Sequence, residues 1–535
     1  MALPLSSAEL RSEFVLLLEL EWASRVFRWT SGATVTIASD DGDLTFSGGL
    51  PFAWDDAIDP LSSDPAARSL SFDALWLPES VNPAELVSAG HDLAAARGAV
   101  ALWAPGRAYE DRIRVLSGRV YAPTYGGAGE PIGLTLEARE FDDRAYLIPP
   151  AAVVSPESWP FADSSAYGRA YPFVFGKPGR YTEPDGTEGK TTGSPAYIVL
   201  PASHRLLIAG HRVTASTVRI IDVTKGEARD CPVEHMADGL GRTVAIANAH
   251  GTGLTITAGD TYFTRWDSGT AAIDDDGSAL RQAGDLLRYL LRRSSLDYDR
   301  GRFASVIGYL NRYRLDGYAD DPDVTVWDWI ADNLLPILPV TIVGGPNGLR
   351  PILYRAPLRI LDAIDHIEAG PYAVRTSAIQ YSTEDPIQRV SVRYALRADT
   401  GDHLRTVTLT GDRLEAGSTD SFAGRIYASG TETLRRSAAR YLREEEVPRE
   451  ERIESDIITD TATAELVAET TARIRALPYR EVSYSLDLHR FGALEPGDIV
   501  TITDGEVSLS VEPAIVRSVS WGSSSADVRL IIPAR

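Results

Sequence analysis

The side chains that do chemistry are present in number, but not in the arrangements chemistry needs. The eight histidines, His91, His204, His211, His235, His250, His366, His403 and His489, are scattered, and no two form a ligand-like motif. Cys231 and His235 have a helix-like i,i+4 spacing, but Pro232 lies between them and no second cysteine exists. Neither a disulfide within the chain nor a thiolate cluster is available. Phosphate-binding and dinucleotide loops, the H-E-x-x-H zinc motif, the G-x-S-x-G elbow and paired C-x-x-C are absent. Carboxylates crowd in three turn-like places: Asp274-Asp275-Asp276-Gly277, Asp320-Asp321-Pro322-Asp323, and Asp55-Asp56 with Asp59. Such groups can bind Ca²⁺, yet none matches the EF-hand loop, and in a chain this acidic they read as solvated surface. A glycosidase needs two carboxylates facing across a sugar cleft, and ten tryptophans permit sugar stacking. A carbohydrate-binding or glycan-cleaving protein is therefore the alternative function. No catalytic residue, metal ligand or cofactor is assigned, and the main expectation is a protein that is not an enzyme.

Charge narrows the partners. With 53 basic and 75 acidic residues the formal net charge is -22. Such a surface repels nucleic acid and anionic membrane, both of which rely on neutralisation by Lys and Arg. No 18-residue apolar run appears, and Met-Ala-Leu-Pro opens without a basic region followed by an apolar one. The expectation is synthesis and assembly in a cytoplasm, with no direct membrane segment.

A chain of 535 residues exceeds one hydrophobic core. Period-two alternation dominates: Ile113 to Ser117, Gly133 to Phe141, Val390 to Leu396 and Val482 to Leu488 read as strands. Helical periodicity is confined to a few stretches: 82–97, 285–292, 303–313, 359–367, 431–446 and 461–477. Thr325-Val-Trp-Asp328 fits a capping box with Asp at N3, and Pro336 limits the helix that follows. No long tandem repeat, coiled coil or low-complexity tract is visible. The predicted fold is mostly β with a smaller α/β portion, in four domains: 1–150 (β), 151–270 (β), 271–380 (small, helical) and 381–535 (β-α-β).

Four segments resemble a known family. Asp163-Ser-Ser-Ala-Tyr-Gly-Arg-Ala-Tyr-Pro-Phe-Val-Phe-Gly176 is similar to a segment of tailed-bacteriophage tail hub and tail-tip proteins, in which a P-x-x-[FY]-G element leads into a β domain. Leu116 to Tyr121, with 134–143, resembles the end of their first β domain, and Val390 to Tyr394 one of their strands. Helix 461–477, strand 482–488 and Leu494-Glu-Pro-Gly-Asp-Ile-Val-Thr-Ile502 resemble the hub-domain tail. The resemblance implies tube-protein-like β domains with a helical insertion. It also implies a homotrimeric ring closing the distal end of the tail tube in a virion. Its partners would be the distal tail protein, the tape-measure protein and tip, spike or fibre proteins, and DNA would pass without specific binding. Assembly or interface positions are expected at Pro172, Phe175, Gly176, Tyr484, Leu486, Pro496, Gly497 and Asp498, and gating positions at Trp327 and Trp329. No appended lysozyme, peptidase or metal cluster has a segment left to occupy.

Overall fold

Leu16, Leu18, Leu20 and Trp22, all buried, line one face of the first strand and set the pattern for the first sheet. The computed structural model describes residues 14–533 except 51–53, 58–68, 139–145, 268–279, 295, 345–347, 356–357, 383–384, 412–419, 423–424, 428, 444–445 and 522–524. The acidic run at 274–276 and Asp59 therefore lie outside the described residues. The sheet begins with β1 (Val15–Trp22), β2 (Arg25–Thr30), β3 (Val35–Ile37) and β4 (Leu44–Gly48). It skips β5 (Trp54–Ala57) and resumes with β6 (Ser69–Leu75), α1 (Pro83–Ser88), β7 (Arg97–Trp103), β8 (Ile113–Thr124) and β9 (Ile132–Ala138). The strand order is β3-β4-β2-β1-β7-β8-β9-β6. The stretch 82–97, read as one helix, is instead α1 and a 3-10 turn, because the chain reverses through Gly90 at φ +92 before Arg97 enters β7.

The strand β10 (Phe173–Phe175) and the hairpin β11 (Arg180–Thr182) and β12 (Glu188–Lys190) lead into a closed barrel. Its strands are β13 (Pro195–Leu200), β14 (Arg205–Ala209), β15 (Thr217–Asp222), β16 (Glu227–Ala237), β17 (Thr243–Asn248) and β18 (Tyr262–Arg265). Small side chains let the barrel close: Ala196, Ala245, Ala247 and Cys231 pack inside with Ile198, Val218 and Ile220. Cys231 and His235 lie on β16, where four residues span ~13 Å. The helix-like spacing is thus undone by an extended backbone, and the two cannot share an ion.

A helical unit follows: α2 (Ala283–Ser294), α3 (Arg300–Leu310), β19 (Gly317–Ala319), α4 (Val326–Trp329) and the pair β20 (Val340–Val343) and β21 (Arg350–Leu353). The cap at Thr325 forms as the sequence predicts, its hydroxyl accepting the Asp328 N–H at 3.0 Å. The helix expected over 359–367 does not form. A 3-10 turn gives way to β22 (Asp365–Glu368), which pairs in parallel with a C-terminal strand, so sheet pairing overrides local periodicity.

β23 (Ala373–Arg375) and β24 (Gln380–Tyr381) also join that last sheet. β25 (Arg389–Arg397), β26 (Asp402–Thr410), the hairpin β27 (Asp420–Phe422) and β28 (Arg425–Tyr427), α5 (Gly430–Tyr441), β29 (Glu450–Glu454) and α6 (Thr461–Arg475) come next. The chain ends in β30 (Arg480–Asp487), α7 (Leu488–Phe491), β31 (Ile499–Asp504), β32 (Leu509–Trp521) and β33 (Ser525–Ile532). The fold is mostly β, with 42% strand and 18% helix, in several sheets.

The two large sheets repeat one plan. Each runs strand, short helix, strand, 3-10 turn, long strand, last strand, with one added 3-10 turn before β7 in the first: β6-α1-β7-β8-β9 in the first, β30-α7-β31-β32-β33 in the second. Both fold into the same path, β7-β8-β9-β6 and β31-β32-β33-β30. The Val120 N–H donates to the Ala96 carbonyl just before β7 at 3.0 Å, and the Val516 N–H to the Asp498 carbonyl just before β31 at 2.9 Å. These bonds align Val120 with Val516. Beyond that point the sheets differ. β5 crosses over from the first region and lies antiparallel on β32, with Trp54 opposite Trp521 and Ala57 opposite Ser518.

Candidate functional site at the domain junctions

Two buried knots hold the units together, and the residues singled out in the sequence fall in or beside them. The first knot forms around Pro172 to Gly176. β10 pairs with β19, setting Phe173 opposite Ala319 and Phe175 opposite Gly317. Gly176 has φ +63, and a Cβ there would sit 2.1 Å from Asp316 Oδ1 and 2.7 Å from the Leu315 carbonyl, so only glycine fits. Asp316 is 2% exposed. Its carboxylate accepts the Lys177 N–H at 2.7 Å, the Arg281 Nε–H at 2.9 Å and the Thr459 hydroxyl. Its own N–H donates to the Ile457 carbonyl at 2.9 Å. One carboxylate thereby ties together the barrel entry, the start of the helical unit and the C-terminal region.

Aromatic rings fill the space behind it. Phe173 stacks on Tyr289 at 5.6 Å and 6°, and Phe175 meets Trp329 edge-on at 5.8 Å and 87°. Trp327 and Trp329 are both buried. The segment ahead of α4 pairs with the exit from the first sheet, the Val326 N–H donating to the Tyr146 carbonyl at 2.7 Å. The tryptophans thus sit where three units meet.

His211 completes this knot, packing edge-on to Phe173 at 5.4 Å. Its Nε2 accepts the Val174 N–H at 3.0 Å, which requires the neutral ring. Burial holds its pKa down to about 4. The unfolded chain binds this proton at ordinary histidine pH while the folded chain does not. Stability is therefore full above about pH 6.5 and is lost as pH falls towards 4. Wild-type protein should lose on the order of 2 kcal/mol to this group over that window, and His211→Gln should flatten that part of a denaturation-versus-pH curve.

The second knot is the turn Pro496-Gly497-Asp498. Gly497 has φ +92, and a Cβ would meet Ile352 Cδ1 at 2.2 Å. Asp498, 5% exposed, caps its own turn by accepting the Glu495 N–H at 2.8 Å. Arg350, whose side chain is 3% exposed, lies 3.0 Å from Glu495 and 3.6 Å from Asp498, and donates to the Pro496 carbonyl. Arg302 on α3 reaches Asp498 at 3.2 Å and Glu495 at 3.3 Å. Burial pushes the Asp498 carboxyl above its ordinary range, against the pull of Arg350 and Arg302. The turn is a clamp fastening the helical unit to the last sheet.

Tyr484 and Leu486 lie on the inner face of β30 and are fully buried. The Tyr484 hydroxyl donates to Asp504 at 2.9 Å, and Arg375 on β23 reaches the same carboxylate at 3.1 Å. Pro172, Phe175, Gly176 and Pro496 are buried as well, and Gly497 is half-buried. These side chains therefore present little surface to a neighbouring chain. Asp316, Arg281 and Arg350 carry both knots and were not singled out by sequence. An isolated Asp or Arg beside an apolar run is the only local signal they give.

The other groups of chemical interest are dispersed. Asp55 and Asp56, expected in a turn, lie on β5 opposite Ser520 and Val519. Asp320 accepts a hydrogen bond from Tyr197 at 3.3 Å, and burial raises its pKa. It lines an open cleft of about 250 Å³ with Tyr318, Trp329 and Asp456. Among the described residues no group of three or more His, Cys, Asp or Glu side chains is placed to hold a metal ion. No helix among them is long and apolar enough to cross a membrane. Trp76 is 59% exposed, while Trp22, Trp29, Trp103, Trp159, Trp266, Trp327, Trp329 and Trp521 are buried, so the described tryptophans form no sugar-stacking row.

Residues 421–512 match the family described as "Putative phage tail protein". That segment runs from within β27 through β31 to the start of β32, including the second knot's turn. The resemblance to phage tail proteins thus stands on an independent match over this part of the chain. No curated protein matches. Among solved structures, the 43 kDa tail protein of prophage MuSo2 from Shewanella oneidensis is similar at 9% identity and a TM-score of 0.38, over 97% of this chain and 98% of that one. The tail protein from Neisseria meningitidis MC58 is similar at 12% identity and a TM-score of 0.27, over 68% of this chain and 97% of that one. A chain of the virion of a native gene transfer agent particle is similar at 15% identity and a TM-score of 0.19, over 48% and 80%. At such TM-scores these likenesses do not by themselves assign a role.

Proposed function

We propose that this chain is a structural subunit of a phage-type tail, and that its copies form the hub ring closing the distal end of the tail tube. The phage-tail segment at 421–512 supports the class. The observation that carries the hub is the repeated sheet plan, with β5 from the first region paired on β32 of the second sheet. A chain offering two like units on one plan can match a sixfold tube with three copies, each contact recurring by rotation. The subunit would be a homotrimer in the virion, assembled in the host cytoplasm. It would sit against the distal tail protein above and tip, spike or fibre proteins below, with the tape-measure protein in the lumen. A net charge of -22 suits a lumen through which DNA slides without sticking.

The assembly positions act by setting the angle between units: Pro172, Phe175 and Gly176 at the first knot, Tyr484 and Leu486 in β30, and Pro496 to Asp498 at the second. Trp327 and Trp329 are the gate in this reading, because unit movement must break the Phe175–Trp329 contact. Trp329→Ala should destabilise that junction by about 3–5 kcal/mol and shift genome ejection towards receptor independence. Particles that eject with normal kinetics and receptor dependence would discard the gate and leave the hub intact. The hub itself is tested by mass and rotational symmetry of purified protein. Three copies of the 58.0 kDa chain about a threefold axis are expected, and a monomer at all concentrations sinks the reading.

A further inference from the structure

Basic side chains gather in one part of a chain that is otherwise acidic. From Arg281 to Arg314 the sequence holds eight arginines against three aspartates. At the end of α3 the half-buried ring of Tyr309 carries two guanidiniums, Arg312 at 5.1 Å and Arg355 at 4.9 Å. Arg355 and Arg359 share a single carboxylate, Asp362, at 3.4 Å and 2.7 Å. Arg312 is exposed and has no carboxylate partner among the described residues. Arg473 on α6 lies close by, already paired with Glu469 at 2.9 Å. Stacking on the tyrosine fixes the guanidinium planes before any partner arrives, so less side-chain freedom is lost on contact.

The opposite charge stands at the edge of the first sheet. β3 is the terminal strand there, and the hairpin from β3 to β4 turns through Asp40, Asp41 and Asp43. The 3-10 turn Tyr109–Asp111 lies against this tip. The Asp40 N–H donates to Glu110 Oε1 at 3.1 Å and the Tyr109 N–H to the Ala38 carbonyl at 3.1 Å. Ser39 holds the tip in shape, its hydroxyl donating to the Gly42 carbonyl at 2.8 Å and accepting the Asp41 N–H at 3.3 Å. Asp40, Asp41, Asp43, Glu110 and Asp111 are all exposed, and none is ion-paired with a basic side chain among the described residues.

We propose that the acidic tip of one copy of this chain docks on the arginine cluster around Tyr309 of a second copy. Charge complementarity selects the occupant: the tip lacks a cation, and three guanidiniums of the cluster share one carboxylate. Arginine forks suit carboxylates, which they can bind through two parallel hydrogen bonds. A contact between two different patches of the same chain recurs by rotation and closes a ring. Nucleic acid fits less well, since so small a cluster neutralises few phosphates and a net charge of -22 opposes their approach. The inference rests on the ring reading and deepens it by naming a contact between neighbouring copies.

The test follows self-association of the full-length protein by light scattering at low and high salt. Wild-type association should weaken as salt rises. Arg312→Glu with Arg359→Glu should weaken it by about tenfold or more, and so should Asp41→Arg with Asp43→Arg. All four changes in one chain should restore it, because the signs are exchanged at both patches. If the pair containing Arg359→Glu does not fold, Arg312→Glu alone serves, since it alters an exposed side chain. An oligomer indifferent to the reversals overturns this contact and leaves the ring standing, and so does a folded four-change chain that stays dissociated. A wild-type monomer at all concentrations overturns both. Duplex DNA bound by the wild type and released by Arg312→Glu, with self-association unchanged, assigns the cluster to phosphate and also overturns the contact.

Discussion

Asp498→Ala should lower the free energy of unfolding by about 3–5 kcal/mol, seen as a lower denaturant midpoint with an unchanged slope. The magnitude comes from what is left behind. Arg350 is almost wholly buried and would keep only Glu495 at 3.0 Å and the Pro496 carbonyl as partners. Arg302 would lose its 3.2 Å contact at the same time. Removing one member of a buried charge cluster costs more than never having had it, because the remaining charge stays desolvated. The paired change Asp498→Leu with Arg350→Met should therefore recover most of the loss. If the single change and the pair are equally destabilised, the cluster is not what fastens the helical unit to the last sheet. Gly497→Ala makes an independent prediction at the same turn. Its Cβ would fall 2.2 Å from Ile352 Cδ1 at a backbone φ of +92, which adds a clash to a conformational cost of ~1 kcal/mol.

Asp316→Ala should be as severe, about 3–5 kcal/mol, and should show a further signature. The carboxylate joins Lys177, Arg281 and Thr459, which belong to three different units. Its loss should uncouple them, so that a protease cuts between the barrel and the helical unit before either core unfolds. Asp316→Asn keeps an acceptor without the charge and should fall between. A single cooperative transition with unaltered protease resistance in the Ala variant would show that the aromatic packing of Phe173, Phe175 and Tyr289 suffices to hold the junction.

The sequence made local features legible and left their long-range partners unread. The Thr325 cap and the alternation of Val482, Tyr484 and Leu486 depend on residues a few positions apart, and both form. β5 is four residues long, carries two aspartates, and is a strand only because β32 lies beside it. β16 alternates weakly, since much of its surface is half-exposed, and its strand character comes from partners on both sides. The repeat was invisible for a related reason. It is a repeat of strand path, kept by pairing and by Val120 and Val516, while the residues on the path differ. The Pro496-Gly497-Asp498 turn could be read as a turn from its composition, but its role as a clamp depends on Arg302 and Arg350, which no spacing rule connects to it.

The crossing of β5 also orders events during synthesis. Residues 54–57 leave the ribosome early, whereas their place beside Ser518 to Trp521 does not exist until the other end of the polypeptide has emerged. Contacts so distant along the chain form late. A product truncated before β32 would hold this arm unpaired, so nascent or prematurely terminated molecules would be chemically distinct from finished ones, and only the latter could hold both sheets complete.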